Sequence, residues 1–144
     1  MTESRRRRVL VADDHAPTLE HLAGRLRRAG FDVVAECANG RLAIEAAATT
    51  APDVCLLDIS MPETSGIETA LVIARRHPAV GVVLMTASPN ERDLAAALRA
   101  GVHGYLGKDV GPDGLAAALR AVCAGETSFP DGLVRRVLST QPAP

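Results

Sequence analysis

Val54-Cys55-Leu56-Leu57-Asp58-Ile59-Ser60-Met61-Pro62 is the stretch on which the reading of this chain turns. Four apolar residues run directly into one carboxylate, and a Met-Pro turn follows. A short unbroken run of aliphatic side chains predicts a strand of a parallel sheet, buried on both faces. Such a strand has one place where a polar side chain meets solvent, its carboxyl end, and in open α/β sheets ligands bind there. Asp58 stands at that end.

Residues 9–12 (Val-Leu-Val-Ala) repeat the form, with Asp13-Asp14 at their exit. Residues 33–37 and 80–85 predict two more strands, the latter ending at Thr86, and Gly104-Tyr105-Leu106-Gly107 a short fifth one ending at Lys108. Helical spacing fills the intervals. Leu19, Leu22, Ala23 and Leu26 recur at i, i+3, i+4, i+7, and Gly30 is placed to end that helix in a left-handed conformation. Asn39-Gly40 reads as a turn before an Ala-rich helix over 42–49. Ser65 with Glu68 forms a capping box, opening a helix with Ile67, Ala70, Leu71 and Ala74 on one face. Asn90 or Glu91 opens a helix with Leu94, Ala97 and Leu98 facing inward and Gly101 closing it. Leu115, Ala118, Leu119 and Val122 mark the last full helix, ended near Gly125.

Strands alternating with helices, joined by right-handed crossovers, predict an α/β, doubly wound (βα)5 flavodoxin-like three-layer sandwich with parallel sheet order 2-1-3-4-5. Residues 1–7 are expected to form a disordered basic tail, residues 8–125 the folded unit, and residues 126–144 an extension. In that extension Phe129-Pro130 makes a break, 133–138 a short helix, and Gln141 onward a linker.

Composition narrows the function classes. The 144 residues suit one domain, and 47% hydrophobic with 23% charged residues is globular. A net charge of -1 argues against a surface built wholesale for nucleic acid or membrane, and 2% aromatics leaves no stacking platform for bases. Cys37, Cys55 and Cys123 are far apart in apolar contexts, and no Cys/His cluster exists, so zinc is not expected and the thiols read as reduced core residues. No apolar run is long enough to span a membrane, and the Arg-rich start lacks the apolar region of a signal peptide, so a cytoplasmic protein is expected.

The strand exits deliver Asp13, Asp14, Asp58, Thr86 and Lys108 to one edge. Each alone has an ordinary explanation as a turn residue, a helix cap or a solvated charge. Their conjunction does not. Three carboxylates brought together stay ionised only beside a cation, and oxygen ligands with an open face suit Mg2+ completed by phosphate oxygens. A hydroxyl and an ammonium alongside would meet further oxygens of a phosphoryl group in transit to the Asp58 carboxylate.

These residues resemble the receiver domains of two-component response regulators. Val11-Ala12-Asp13-Asp14-His15, Leu56-Leu57-Asp58-Ile59-Ser60-Met61-Pro62 with Gly66, Thr86-Ala87, and Gly104-Tyr105-Leu106-Gly107-Lys108-Asp109 carry the likeness. It covers roughly residues 8–125 and looks most like receivers that precede a LuxR-type helix-turn-helix. The resemblance implies that Asp58 accepts phosphate from a histidine kinase. It implies that Asp14 and Asp58 ligate Mg2+ with the Ser60 carbonyl, Asp13 acting through water, and that Thr86 and Lys108 contact the phosphoryl oxygens. Tyr105 would be the switch residue, responding as an inward move of Thr86 opens space for its ring. Phosphorylation would then promote a homodimer, through the face of the 90–100 helix, the fifth strand and the 115–124 helix or through the first helix, with transcription regulation as the output of a full-length protein.

The chain departs from the family pattern in places. Asp109 stands where many receivers have a cis proline, leaving the Lys108-Asp109 bond open. Glu63-Thr64-Ser65 brings an extra carboxylate toward the site, and Gly107 lends the Lys108 strand backbone freedom. Two other classes are set against the receiver reading. A haloacid-dehalogenase-like phosphatase would want an acid where Ser60 stands, and a phosphorylation-independent interaction module would be expected to lack one of Asp14, Asp58, Thr86 or Lys108. Too few residues follow Leu138 for a helix-turn-helix, so this chain itself is not expected to bind nucleic acid.

Overall fold

The computed structural model describes residues 5–140. The order is β1 (Arg8–Ala12), α1 (Ala16–Arg28), β2 (Asp32–Cys37), α2 (Gly40–Thr50), β3 (Val54–Asp58), α3 (Gly66–Arg76), β4 (Gly81–Thr86), α4 (Glu91–Arg99), β5 (Gly104–Gly107), α5 (Pro112–Cys123) and α6 (Asp131–Thr140). The strands pair in parallel in the order β2-β1-β3-β4-β5, the flavodoxin-like arrangement expected from the alternation. β1 and β3 are therefore neighbours at the centre, and β4 lies on the far side of β3.

Strand side chains alternate between the sheet's two faces and build two cores. Leu10, Cys55, Leu57 and Leu84 pack with Ala43, Ala47, Ala70, Ile73, Leu94 and Ala97, so α2, α3 and α4 cover one face. Val9, Val11, Leu56, Val83 and Met85 pack with Leu22, Leu26, Leu115 and Leu119 under α1 and α5 on the other. Burial pushes the Cys55 thiol up to about 12 and that of Cys37 to about 11, so both remain neutral, apolar core groups. Among the described residues no helix is long and apolar enough to cross a membrane.

Local signals set most boundaries. Ser65 Oγ accepts from the Glu68 amide at the start of α3, and Asn90 Oδ1 accepts from Asp93 at the start of α4. Such caps are worth about 1 kcal/mol each. Gly30, Gly101 and Gly125 follow α1, α4 and α5 with φ of 96°, 84° and 89°: Gly30 is the left-handed stop expected of it, and the other two end their helices in the same conformation. Asn39 is more than a turn residue: its side chain accepts from Leu42 N and caps α2, with Gly40 as the first helical residue.

Two helix faces differ from the periodic reading. α3 buries Gly66, Thr69, Ala70 and Ile73, while Ile67 and Leu71 are only partly buried at the rim of the core. The reason is Gly66, where a Cβ would collide with the Asp58 carbonyl. The bare backbone lets the helix start lie directly on the end of β3, which turns the 66/69/70/73 stripe inward. Leu98 of α4, expected inside, is 36% exposed and lines a shallow cleft with Val137 and Leu138 of α6.

At the chain ends, Arg5 pairs with Asp53 at 2.9 Å, and the Arg7 carbonyl accepts from Asp32 N. After α5, Ser128 adds a parallel bridge to Gly104, with Tyr105 N donating to Ser128 O and Ser128 N to His103 O. α6 then lies on α4, burying Leu133, with Arg136 paired to Glu91 at 2.9 Å. The parts of the expected tail and linker at 1–4 and 141–144 lie outside the described residues.

Candidate functional site

The sheet order brings the exits of β1, β3, β4 and β5 to one edge. Asp13 follows β1 directly, its amide donating to Cys37 O, and Asp58 is the last residue of β3. Ile59 N donates to Met85 O, and Lys108 N to Thr86 O at 2.7 Å, which ties the tips of β3, β4 and β5 side by side. Gly66 beneath Asp58 closes the turn from below.

Asp13, Asp14 and Asp58 each offer a carboxylate oxygen, and these oxygens lie within 4.8 Å of one another. Asp13 and Asp58 are 1% and 6% exposed, while Asp14 is open to solvent. Lys108 Nζ bridges the two buried members, 3.1 Å from Asp13 Oδ2 and 3.2 Å from Asp58 Oδ1. The other Asp13 oxygen accepts from His15 N at 2.9 Å, and His15 caps α1 through Nδ1. The Asp58 carboxylate also receives the Ser60 backbone N–H.

Charge in this pocket is finely divided. Burial pushes the Asp58 carboxyl above its usual range and the neighbouring Asp13 adds to it, against the opposing pull of Lys108. Burial pulls the Lys108 ammonium down, but its hydrogen bond to Asp13 and the charge of Asp58 outweigh this and hold it up. One ammonium thus faces three carboxylates. An all-oxygen donor set with one exposed side and residual negative charge fits a hard divalent cation.

Thr86 is buried at the tip of β4, and its Oγ1 accepts from Ser88 N at 3.1 Å. The ring of Tyr105 on β5 is wholly buried in the core under α4. Its hydroxyl accepts from Asn90 N at 3.2 Å and interacts with the Thr86 side chain. Burial pushes the phenol up, with the Asn90 N–H opposing. The ring that the sequence reading expects to enter a space opened by Thr86 is already inside in this structure.

Asp13, Asp14, Asp58, Thr86, Lys108 and Tyr105 therefore converge as an ordered set. Glu63, whose carboxylate the sequence brings toward the site, does not join the cluster. No cis peptide bond occurs among the described residues, so Lys108-Asp109 is trans. Gly107 has no left-handed φ, and a Cβ there would meet only side chains, the Asp109 carboxylate and Pro89. The sequence reading missed the direct contact between Lys108 and Asp13 and the capping role of His15. An Asp two residues before a His at a helix start was the available signal for the latter.

Comparison with known proteins gives concordant findings. The family model described as "Response regulator receiver domain" matches residues 9–120. The transcriptional regulatory protein LnrK of Bacillus subtilis (strain 168) is 34% identical over 133 residues, 92% of this chain and 60% of that protein. The nitrate/nitrite response regulator protein NarL of Escherichia coli (strain K12) is 36% identical over 127 residues, 87% of this chain and 58% of that protein. A LuxR-family two-component response regulator from Aurantimonas sp. SI85-9A1 has a crystal structure that superposes with a TM-score of 0.82 at 28% identity, covering 94% of this chain and 97% of that one. The chain spans about three fifths of the length of the two curated relatives.

Proposed function

The chain belongs to the response regulator receiver domain family, and on that premise we propose that Asp58 is its phosphoacceptor, served by Mg2+ and loaded by a histidine kinase. The observation that carries this reading is the Lys108 ammonium within 3.2 Å of Asp58 Oδ1, in a cluster of three carboxylates beside the Thr86 tip of β4. A receiver is a phosphoacceptor switch rather than a turnover enzyme.

Asp14 and Asp58 would hold the ion together with the Ser60 carbonyl, and Asp13 through a water. When bound, it offsets the carboxylate charge and draws in the phosphate oxygens. In the transfer, an Asp58 oxygen bonds to phosphorus as the donor's bond breaks. That bond is P–N for a phosphohistidine, whose electron pair stays with the imidazole nitrogen. Lys108, already at the carboxylate, neutralises charge on the phosphoryl oxygens. Thr86 Oγ1 accepts from Ser88 N and shares a hydrogen bond with the Tyr105 hydroxyl, and its O–H would reorient to donate to a phosphoryl oxygen.

The same Thr86 hydroxyl interacts with Tyr105, and Tyr105 holds the Asn90 amide at the start of α4. We read the coupling as a rearrangement of this hydrogen-bond chain rather than as entry of the ring. Its output would be a homodimer through α4, β5 and α5. The α1 face is the alternative, and Arg25 and Arg28 line a cleft there with Arg120 and Asp113 of α5. Regulation of transcription, the role that LnrK's name carries, would belong to a longer protein that includes this receiver.

Intact-mass measurement with acetyl phosphate tests the reading. A gain of one phosphoryl group is expected with Mg2+ and not with EDTA, and none in Asp58→Asn. Undiminished labelling of that variant refutes the assignment. Light scattering with beryllofluoride is expected to show the mass rising toward a dimer, and much less so in Thr86→Ala.

A further inference from the structure

Two clefts adjoin on the α1 and α5 side of the molecule, one at the end of the sheet opposite Asp58, where the chain leads into β1, and one running along the seam between α1 and α5 up to the start of α5 at Pro112 and Asp113. One, of about 580 Å³, is lined by Arg5, Arg6, Arg7 and Arg120, with Gly30 and Phe31 in its wall. The other, of about 380 Å³, is lined by Arg25, Arg28 and Arg120, with Asp113 as its acidic residue. Ala29 and Arg120 belong to both.

The guanidiniums here are poorly compensated. Arg5 pairs with Asp53. Among the described residues, Arg6, Arg7, Arg25, Arg28 and Arg120 have no carboxylate within ion-pair distance. Two of them are nevertheless fixed in place. Arg120 Nη2 donates to Ala29 O, and its guanidinium lies over the Phe31 ring, 5.3 Å from the centroid. Arg25 Nη2 donates to Val110 O at 3.4 Å, and Arg25 Nε is buried without a hydrogen-bond partner. A guanidinium carries five N–H donors, so one main-chain bond orients it and leaves the rest for another acceptor.

The helix dipole accounts for basic residues in the last turn of α1. The dipole of α5 accounts in the same way for Arg120 in its last turn, but neither helix accounts for Arg6 and Arg7, which reach the first cleft from the segment before β1. Like charges gathered around a concave space repel unless an anion lies between them, and oriented guanidiniums match phosphate oxygens in pairs. The clefts have the volume of a nucleotide-sized ligand rather than of a duplex. Phe31 is buried beneath Arg120, so no ring face is open for base stacking. Recognition would rest on phosphate groups, and on more than one.

We infer that these adjoining clefts form a binding site for a small, multiply phosphorylated anion, such as an inorganic or nucleoside polyphosphate. The site shares no residue with the Asp58 cluster and stands or falls independently of it. Isothermal titration of the full chain with inorganic tripolyphosphate, in EDTA so that no divalent ion recruits it to the carboxylates, tests the inference. Saturable one-to-one binding is expected, with monophosphate weaker by about ten-fold or more. The exposed pair Arg6→Glu/Arg28→Glu is expected to lose about ten-fold or more in affinity while keeping its melting profile and its Asp58 labelling. Arg99→Glu on α4 is expected to change neither. No saturable binding, equal loss in Arg99→Glu, equal affinity for monophosphate, or tighter binding of a short DNA duplex than of tripolyphosphate would each overturn the proposal.

Discussion

Replacing Lys108 by Gln removes the one cation that bridges Asp13 and Asp58 while keeping a polar side chain of similar length. Each contact, at 3.1 and 3.2 Å, corresponds to a gross attraction of about 5 kcal/mol at an effective dielectric constant near 20. Desolvation cancels much of this, and deleting one partner of a fully buried pair costs about 3–5 kcal/mol. The carboxylates are buried but the ammonium is 28% exposed, so screening lowers the expected loss to about 2–3 kcal/mol. At about 3–4 °C per kcal/mol for a domain of this size, the melting temperature should fall by roughly 6–12 °C at pH 7 in EDTA. The pH dependence follows from the directions of the shifts. Lys108 is held above its unfolded value, so its contribution is complete below the unfolded Lys range and is lost as pH rises through the higher folded value. On the acid side the gap between variant and native protein should narrow as the pH falls through the raised Asp58 range, where that carboxylate loses its charge. Saturating Mg2+ should narrow the gap at pH 7, because the ion compensates the same carboxylates. Thermal melts over a pH series check this. A variant within 2 °C of the native protein at pH 7, or a gap unchanged at pH 3, would refute the assignment of Lys108 as counter-charge.

Other outcomes follow from the same geometry. Asp58→Asn should raise stability at neutral pH: the folded carboxyl is pushed up, so ionisation above that range burdens the fold, and the gain should vanish below about pH 4 in a melting series. Tyr105→Phe leaves the Asn90 amide without its acceptor and should cost about 1 kcal/mol in urea unfolding, with the largest amide shifts at the start of α4. Gly66→Ala drives a methyl group into the Asp58 carbonyl and should destabilise by about 2 kcal/mol or more while slowing acetyl-phosphate labelling.

The chemistry was legible because it sits where apolar runs stop. Asp13, Asp58, Thr86 and Lys108 each mark the point at which a buried strand meets solvent, so one-dimensional punctuation gave their shared edge. Helix starts at Ser65 and Asn90 were legible for a similar local reason. Helix faces were less so. Periodicity counts apolar side chains, and α3 is oriented by a residue without one, Gly66, together with Thr69 buried in the same stripe. Leu98 continues the spacing from Leu94, yet α6 covers α4 incompletely there and leaves it half in solvent. The Lys108–Asp13 contact spans 95 positions and depends on how far each strand tip projects, which no spacing rule encodes. Arginines from residues 5–7, α1 and α5 meet only because the sheet brings their ends together.

The short pairing made by Ser128 bears on how copies of this protein can meet. Open strand margins are templates on which chains add to one another, and β5 is one of the two margins of this sheet. Ser128 takes the amide of Tyr105 and the carbonyl of His103, which removes the first half of that margin as a template, and α6 follows close by. At the other margin, β2 opens with exposed Asp32 and carries exposed Glu36, held by Arg27 at 2.8 Å. A polymerising stack would have to bury those charges beside their own copies. Ribbon-like growth of the sheet is hindered on both sides, and concentrated protein should remain free of fibrillar, dye-binding aggregate even under conditions that drive it to pair through its helices.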